Sequence, residues 1–426
     1  MIVDKLKYGF DDENSILYFS NLLKKENTGV SKEFILKEDI ENIVAQCVKV
    51  EKWKSEFANI FLKNMNNLDF SSFLDDPEFD IKEMPLKKKI EPGDIGGLNV
   101  VSVDGSMVVK KLMGVDFSFL KAICVKYHFY KNHLSKIEYY PDVNGYNNYL
   151  VQVNHLNQEE ITVDLSTSMD MKFMEINLVN KMIEKQSDID LIIIDGSISL
   201  LPINLVFGKN KEITQKYNEL LREYKNLYHN CRERGIYLIG SIKDTRSSAL
   251  IHSIKRGIQM LKPNNSKLQD FISLNYRFIM NYFSDLDLFK RILNKGERSC
   301  IFNCKREIKM IRENGIKKEI SSYFPLNFYA FYLKTTLYDA PCRIEFFTDE
   351  EESIFETMSQ ADLISSIILP IAGYNEHYGL PVPQIEAHKR AVFRSQEIDL
   401  IFKSIIRNLN NQGIYLLEKR RSRRPF

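Results

Sequence analysis

Two short segments repeat one pattern, and that repetition constrains the fold of this chain more than any other feature. Val100-Val101-Ser102-Val103-Asp104-Gly105-Ser106 and Leu191-Ile192-Ile193-Ile194-Asp195-Gly196-Ser197 are apolar, β-branched runs that stop on an aspartate followed by Gly-Ser. Such runs predict buried strands, and a glycine lets the chain turn sharply where the strand ends. Each carboxylate is then delivered to a sheet terminus. One Asp-Gly-Ser alone is a turn signal. Two of them, after two apolar strands, bring two carboxylates to one sheet edge, which is the start of a site for a hard divalent cation.

The sequence between and around these segments fills in an α/β architecture. Strand-like stretches fall at Leu98–Val103, Val115–His128, Ile137–Tyr140 and near Ile161–Leu165, with connections short enough for an antiparallel meander. A helix is predicted over Thr167–Glu184, with Ser166 or Thr167 as N-cap, and the strand ending at Asp195 follows it. A polar helix over about Asn210–Arg234 leads to a further strand, Ile236–Ile242, and then to Lys243. Strand character returns at Tyr323–Leu333 and Arg343–Phe347; Asp349–Glu352 then opens a helix, and a last helix spans about Gln384–Leu409. The order predicts a mixed sheet with helices against it.

Domain limits follow from composition. At 426 residues the chain exceeds one ordinary core. Residues 1–92 read as an N-terminal helical region, with Ile16, Phe19, Leu22 and Leu23 on one face, closed by Lys87-Lys88-Lys89 and the glycines beyond. Residues 98–410 form the main domain, 262–320 a helical insertion within it, and 411–426 a basic tail. That tail, Lys419 to Arg424, reads either as a solvated segment or as a phosphate contact. Net charge is only +2, so polyanion binding must come from local patches. The six cysteines lack zinc spacing and read as reduced, mostly structural thiols. No apolar run is long enough to cross a bilayer, and Asp4, Lys5 and Lys7 stand where a signal peptide would be apolar, so a cytoplasmic protein is expected.

The acidic residues sort onto this topology. Glu175 lies on the helix between the two aspartate-bearing strands and reaches both aspartates if that helix packs beside them; taken alone it reads as a solvated helix residue. Three converging carboxylates repel one another, and bound Mg²⁺ or Mn²⁺ keeps them ionised together. Such a site suits phosphodiester hydrolysis. His388 could add a ligand or base, and an imidazole suits Mn²⁺ better than Mg²⁺; on its own it is an incidental helix histidine. Lys243, at a buried strand's end, could meet a phosphate as a point charge or merely snorkel.

Taken together, Val103-Asp104-Gly105-Ser106, Met174-Glu175, Ile194-Asp195-Gly196-Ser197, Ser241-Ile242-Lys243-Asp244-Thr245-Arg246 and Gly379-Leu380-Pro381 leading to Ala387-His388 resemble the NurA nuclease family from about Leu98 to Arg407. The resemblance implies an RNase H-like core. It implies Asp104, Glu175 and Asp195 as metal carboxylates and His388 as a catalytic or metal-binding residue. It further implies Mn²⁺-dependent cleavage of DNA by 5′ to 3′ exonuclease and single-strand endonuclease activity, homodimers, and work with the hexameric HerA translocase in DNA end resection. One position departs: the family often carries a tyrosine where this chain has Leu380, and Tyr374 and Tyr378 are out of register. That departure motivates a second reading, a dimeric scaffold without catalysis that docks on a translocase and guides DNA. A third, an actin-like nucleotide hydrolase, lacks a glycine-rich phosphate cradle here.

Overall fold

In the computed structural model the described residues are 37–417, leaving out 132–133, 142–148, 156–159, 200–210, 262–275, 277–279, 305–310, 314–315 and 319–325. The face predicted around Ile16 to Leu23 and the tail Lys419–Arg424 lie outside them. The chain divides into two compact units, one made of residues up to Leu86 with Arg246–Ile292, the other of Lys87–Thr245 with Leu293 onward.

In the first unit, α1 (Lys37–Asn64) buries Phe57, Ala58 and Phe61, and Phe57 packs its ring 5.3 Å from that of Phe283. α4 (Ala249–Leu261) starts under a cap supplied from afar: buried Asp285, the first residue of α5 (Asp285–Ile292), accepts from the N–H groups of Leu250 and Ile251. A helix start leaves such donors without intrahelical partners, and a carboxylate satisfies them best.

The second unit holds the sheet. Its strands are β1 (Lys87–Lys89), β2 (Asn99–Lys111), β3 (Val115–His128), β4 (Lys136–Tyr140), β5 (Tyr149–His155), β6 (Leu191–Asp195), β7 (Tyr237–Ile242), β8 (Glu297–Ser299), β9 (Phe302–Asn303), β12 (Leu326–Leu333) and β13 (Cys342–Asp349); β10 (Ile311–Glu313) and β11 (Ile316–Lys318) make a separate hairpin. The order is β1-β8-β12-β13-β7-β6-β2-β3-β4, with β5 beside β3 and β9 beside β12. Among the described strands only β2, β6 and β7 are mutually parallel; the other pairings are antiparallel. The result is the mixed sheet flanked by helices that the sequence predicts. β6 is buried through Ile194, as a strand covered on both faces must be. α2 (Glu160–Lys185) packs on β2 and β3 and α3 (Lys211–Glu233) on α2, while α7 (Val382–Ala391) contacts β2, β3 and β6. α6 (Ile354–Ala372) opens with a capping box between Ser353 and Glu356 and adds Ile364, Ile368 and Ile371 to a core with Val100, Ile193, Ile239, Ile344 and Phe346.

Five expectations need correction. β2 does not end at Asp104 but runs on to Lys111, paired with β3 throughout. The apolar run Ile161–Leu165 forms the first turns of α2; a run that short fits either helix or strand by periodicity. The lysine triplet read as a break is edge strand β1, its charges held by Lys87–Glu297 at 2.7 Å and Lys88–Asp362 at 2.6 Å. Within 262–320, read as helical, the described residues include α5 but also β8 to β11. The single last helix is two, α7 and α8 (Ser395–Asn411), because Phe393 and Ile398 turn aside into a separate apolar cluster with Leu112, Val115, Phe117 and Phe119. All six cysteines are free, and no described helix is long and apolar enough to cross a membrane.

Candidate metal centre

Parallel pairing places the site. Val103 on β2 stands opposite Ile194 on β6, so Asp104 and Asp195 follow side by side where that pairing ends. β6 stops there. Gly196 adopts φ +113°, a left-handed conformation that disfavours a side chain, and its N–H donates to the Ser241 carbonyl at 3.1 Å. Ser197 donates its hydroxyl to buried Glu345 at 2.6 Å, which pins the turn. The second Asp-Gly-Ser is thus the predicted turn. The first is not: Gly105 and Ser106 continue the strand.

α7 supplies the third member. The segment leading into it is fastened to the loop after β12, with Thr335 donating to the Gly379 carbonyl at 2.6 Å and the Gly379 N–H donating to Asp339 at 2.7 Å. Glu386 accepts from Tyr139 of β4 at 2.9 Å, which sets the helix's rotation. His388 Nδ1 then lies 2.7 Å from Asp104 Oδ2 and 3.9 Å from Asp195 Oδ2. Asp104, Asp195 and His388 each offer a ligand atom within 4.8 Å of the others. Two hard carboxylate oxygens and one imidazole nitrogen are a donor set that fits Mn²⁺ or a similar divalent ion. One side of the cluster is wet, His388 being half exposed, and the other is dry, Asp104 being 7% exposed.

The remaining candidates stand around this trio. Lys243 donates from Nζ to Asp195 Oδ2 at 2.7 Å. Glu175, 1% exposed, lies outside the trio: a side chain on Gly105 would meet Glu175 Oε1 at 2.5 Å. Successive side chains on a strand point to opposite faces, so Glu175 approaches β2 from the face opposite the Asp104 side chain. There Lys172, one turn earlier on α2, donates to Glu175 Oε2 at 2.5 Å. Leu380 is buried in the main apolar cluster, where it contributes packing, and Tyr374 and Tyr378 are exposed.

Sequence reasoning missed Gln384. It is fully buried one turn before His388, accepts from the Ser241 hydroxyl at 2.7 Å, and donates from Nε2 to Asp195 Oδ1 at 3.0 Å. The Asp195 carboxylate and the Ser241 carbonyl can only accept, which turns the amide NH₂ toward them and leaves its oxygen for the Ser241 hydroxyl. One helix therefore aims both carboxylates, Asp195 through Gln384 and Asp104 through His388. Nothing in the local sequence signals this. Lys172 could have been found from its spacing of three residues before Glu175. Gln384→Met is expected to cost roughly 1–3 kcal/mol of stability, since it leaves the buried Ser241 hydroxyl without its acceptor; urea unfolding of the variant measures it.

Burial and mutual repulsion shift the acids of this cluster. Burial, with the neighbouring Asp195 charge, raises the Asp104 carboxyl above its usual range against the opposing His388 contact. Burial likewise pushes Glu175 up to about 7, partly offset by Lys172 and reinforced by both aspartates. For an acid raised in this way the stability contribution is fully present below the unfolded value and is lost as pH rises through the folded one. Glu175→Gln removes that penalty. Thermal melts in EDTA should therefore show the variant gaining on the parent protein as pH rises from about 4.5 to about 7, with no further gain above and little pH-dependent difference below that range.

Residues 98–393 match the family model described as the NurA domain. No curated protein matches the chain. Among solved structures, the NurA nuclease from Sulfolobus solfataricus aligns with a TM-score of 0.51 at 14% identity, over 87% of this chain and 98% of that one, a likeness of fold. A NurA crystal structure with manganese aligns at 0.39 and 12% identity over 88% and 98%, and the Endonuclease V structure from Bacillus subtilis at 0.29 and 11% over 79% and 91%.

Proposed function

Because the chain belongs to the NurA family, we propose that it is a metal-dependent deoxyribonuclease whose active centre is built on Asp104, Asp195 and His388. The observation that carries the proposal is the meeting of these three residues, remote in sequence, within 4.8 Å. Asp104 and Asp195 hold the divalent ion, with His388 as the third ligand, and Glu175 supports the site from beneath Gly105. Mn²⁺ is the expected ion, on the chemistry of the imidazole and on the manganese named with the NurA structure. Mg²⁺ is the alternative. When bound, the ion activates water and neutralises charge at the scissile phosphate.

The chain's own groups do the rest. Gln384 and the Gly105 N–H, which donates to Asp104 Oδ1 at 2.8 Å, fix the carboxylates in one rotamer so that no reorganisation is needed on binding. Lys243 keeps an ammonium beside Asp195, where it faces the anionic substrate as a point charge. Family membership supports DNA as the substrate, with exonucleolytic cleavage from 5′ ends and endonucleolytic cleavage of single strands. It supports equally a homodimer acting in the cytoplasm with a HerA-like hexameric translocase, in DNA end processing or defence.

End-labelled linear DNA incubated with purified protein tests this. Mn²⁺ should release nucleotides from the 5′ end and EDTA should stop the reaction; intact DNA at all metal concentrations contradicts the proposal.

A further inference from the structure

A groove of about 1040 Å³ lies between the far end of β2 and α8. Its charged lining is Lys110, Lys111, Lys403 and Arg407 against a single acid, Asp399, with Phe402, packed edge-on to Phe117 at 6.1 Å, in the same wall. Lys403 and Arg407 are exposed and one helical turn apart, about 6 Å along α8. Lys110 contacts Asp399 at 3.1 Å and sits 5.8 Å above the Phe402 ring, while Lys111 contacts Asp164. In a chain with net charge +2, this excess of cations is a local feature and not a sample of the whole surface.

The groove is in register with the metal centre. Asp104 and Lys110 are six residues apart on one strand that pairs with β3 without interruption, so their side chains share a face and stand roughly 20 Å apart. The helices covering that face follow the same path: α7 brings His388 to Asp104, and α8 brings Phe402 to Lys110. Beyond Asn411 the chain returns to the hairpin tip, where Leu417 accepts from the Met113 N–H at 2.7 Å, and the sequence continues into the basic run Lys419–Arg424.

We propose that this groove binds the phosphodiester backbone of a single DNA strand several nucleotides away from the scissile bond, and so sets a minimum substrate length. Lys403 and Arg407, the exposed cations of α8, take the phosphates. This deepens the nuclease reading and rests on it for the meaning of the distance, whereas the binding itself is separable from cleavage.

Binding of labelled oligothymidylate to the full chain in EDTA, across roughly 50 to 200 mM salt, tests it. Lys403→Gln with Arg407→Gln should weaken binding and reduce the slope of log K against log salt by about 1.4, two phosphate contacts on a single strand. Lys403→Glu with Arg407→Glu should weaken binding further. Both pairs should leave the melting temperature unchanged and leave Mn²⁺-dependent hydrolysis of bis(p-nitrophenyl) phosphate, too small to reach the groove, at the parent rate. Unaltered affinity and slope in both pairs overturn the proposal, as does competition for the groove by an acidic protein but not by DNA. Failure of the parent protein to hydrolyse the small diester would instead count against the nuclease reading, whatever the groove does.

Discussion

Asp104→Asn and Asp195→Asn are each expected to lower Mn²⁺-dependent DNA cleavage by on the order of 10³-fold, about 4 kcal/mol of transition-state stabilisation. The two asparagines keep the side-chain shape and remove the charge that holds the ion. Fold is retained for a physical reason: burial already raises the Asp104 carboxyl, with Asp195 adding to it, so neutralising it relieves repulsion. Melting temperature in EDTA should therefore hold or rise for Asp104→Asn. Asp195→Asn leaves Lys243 without its 2.7 Å partner, but that lysine is part-exposed and water replaces the contact. Cleavage assays paired with melts separate a lost site from a lost fold; activity near the parent level in either variant removes that residue from the site.

Gly105→Ala should be nearly as damaging, although it changes no charge. The added carbon would stand 2.5 Å from Glu175 Oε1, 3.1 Å from Glu175 Cγ and 3.0 Å from Met171 Cγ. Glu175 is enclosed and tied to Lys172, so it moves only by breaking that pair. Overpacking of this kind costs roughly 1–3 kcal/mol. Gly105 directly follows Asp104, and a shift of about 1 Å passed along the strand to that carboxylate costs on the order of 10²-fold in rate. Rates together with urea unfolding measure both. An alanine variant with parent-like activity would mean that Glu175 and Met171 give way without disturbing Asp104.

That glycine also shows where sequence reading succeeds and where it stops. Both Asp-Gly-Ser segments read as strand ends, and for Asp195 the strand does end, at a glycine with positive φ. At Asp104 the same letters continue an extended strand, and the glycine is there because a carboxylate from another element occupies the space a side chain would fill. Local sequence encodes the turn tendency but not the neighbour. The strands β3, β6 and β7 are legible because buried runs rich in β-branched and aromatic residues carry their own signature. β5 is not, and the run at Ile161–Leu165 reads as a strand because short apolar stretches fit either period. Asp104, Asp195 and Lys243 can be placed at neighbouring strand ends from topology, whereas His388 comes to the site only through the family resemblance. Gln384 cannot be placed, since its role depends on three contacts made across the fold to Asp195 and Ser241. The pairing of Glu175 with Lys172 was within reach of sequence, but the face from which it approaches β2 was not.

The account turns on folding having gathered Asp104, Asp195 and His388 into one cation site, and anomalous diffraction from crystals soaked in Mn²⁺ tests that most directly. The account predicts an anomalous peak bonded to carboxylate oxygens of both Asp104 and Asp195, with the His388 imidazole beside it. A peak elsewhere on the molecule, with none between these carboxylates, would contradict it.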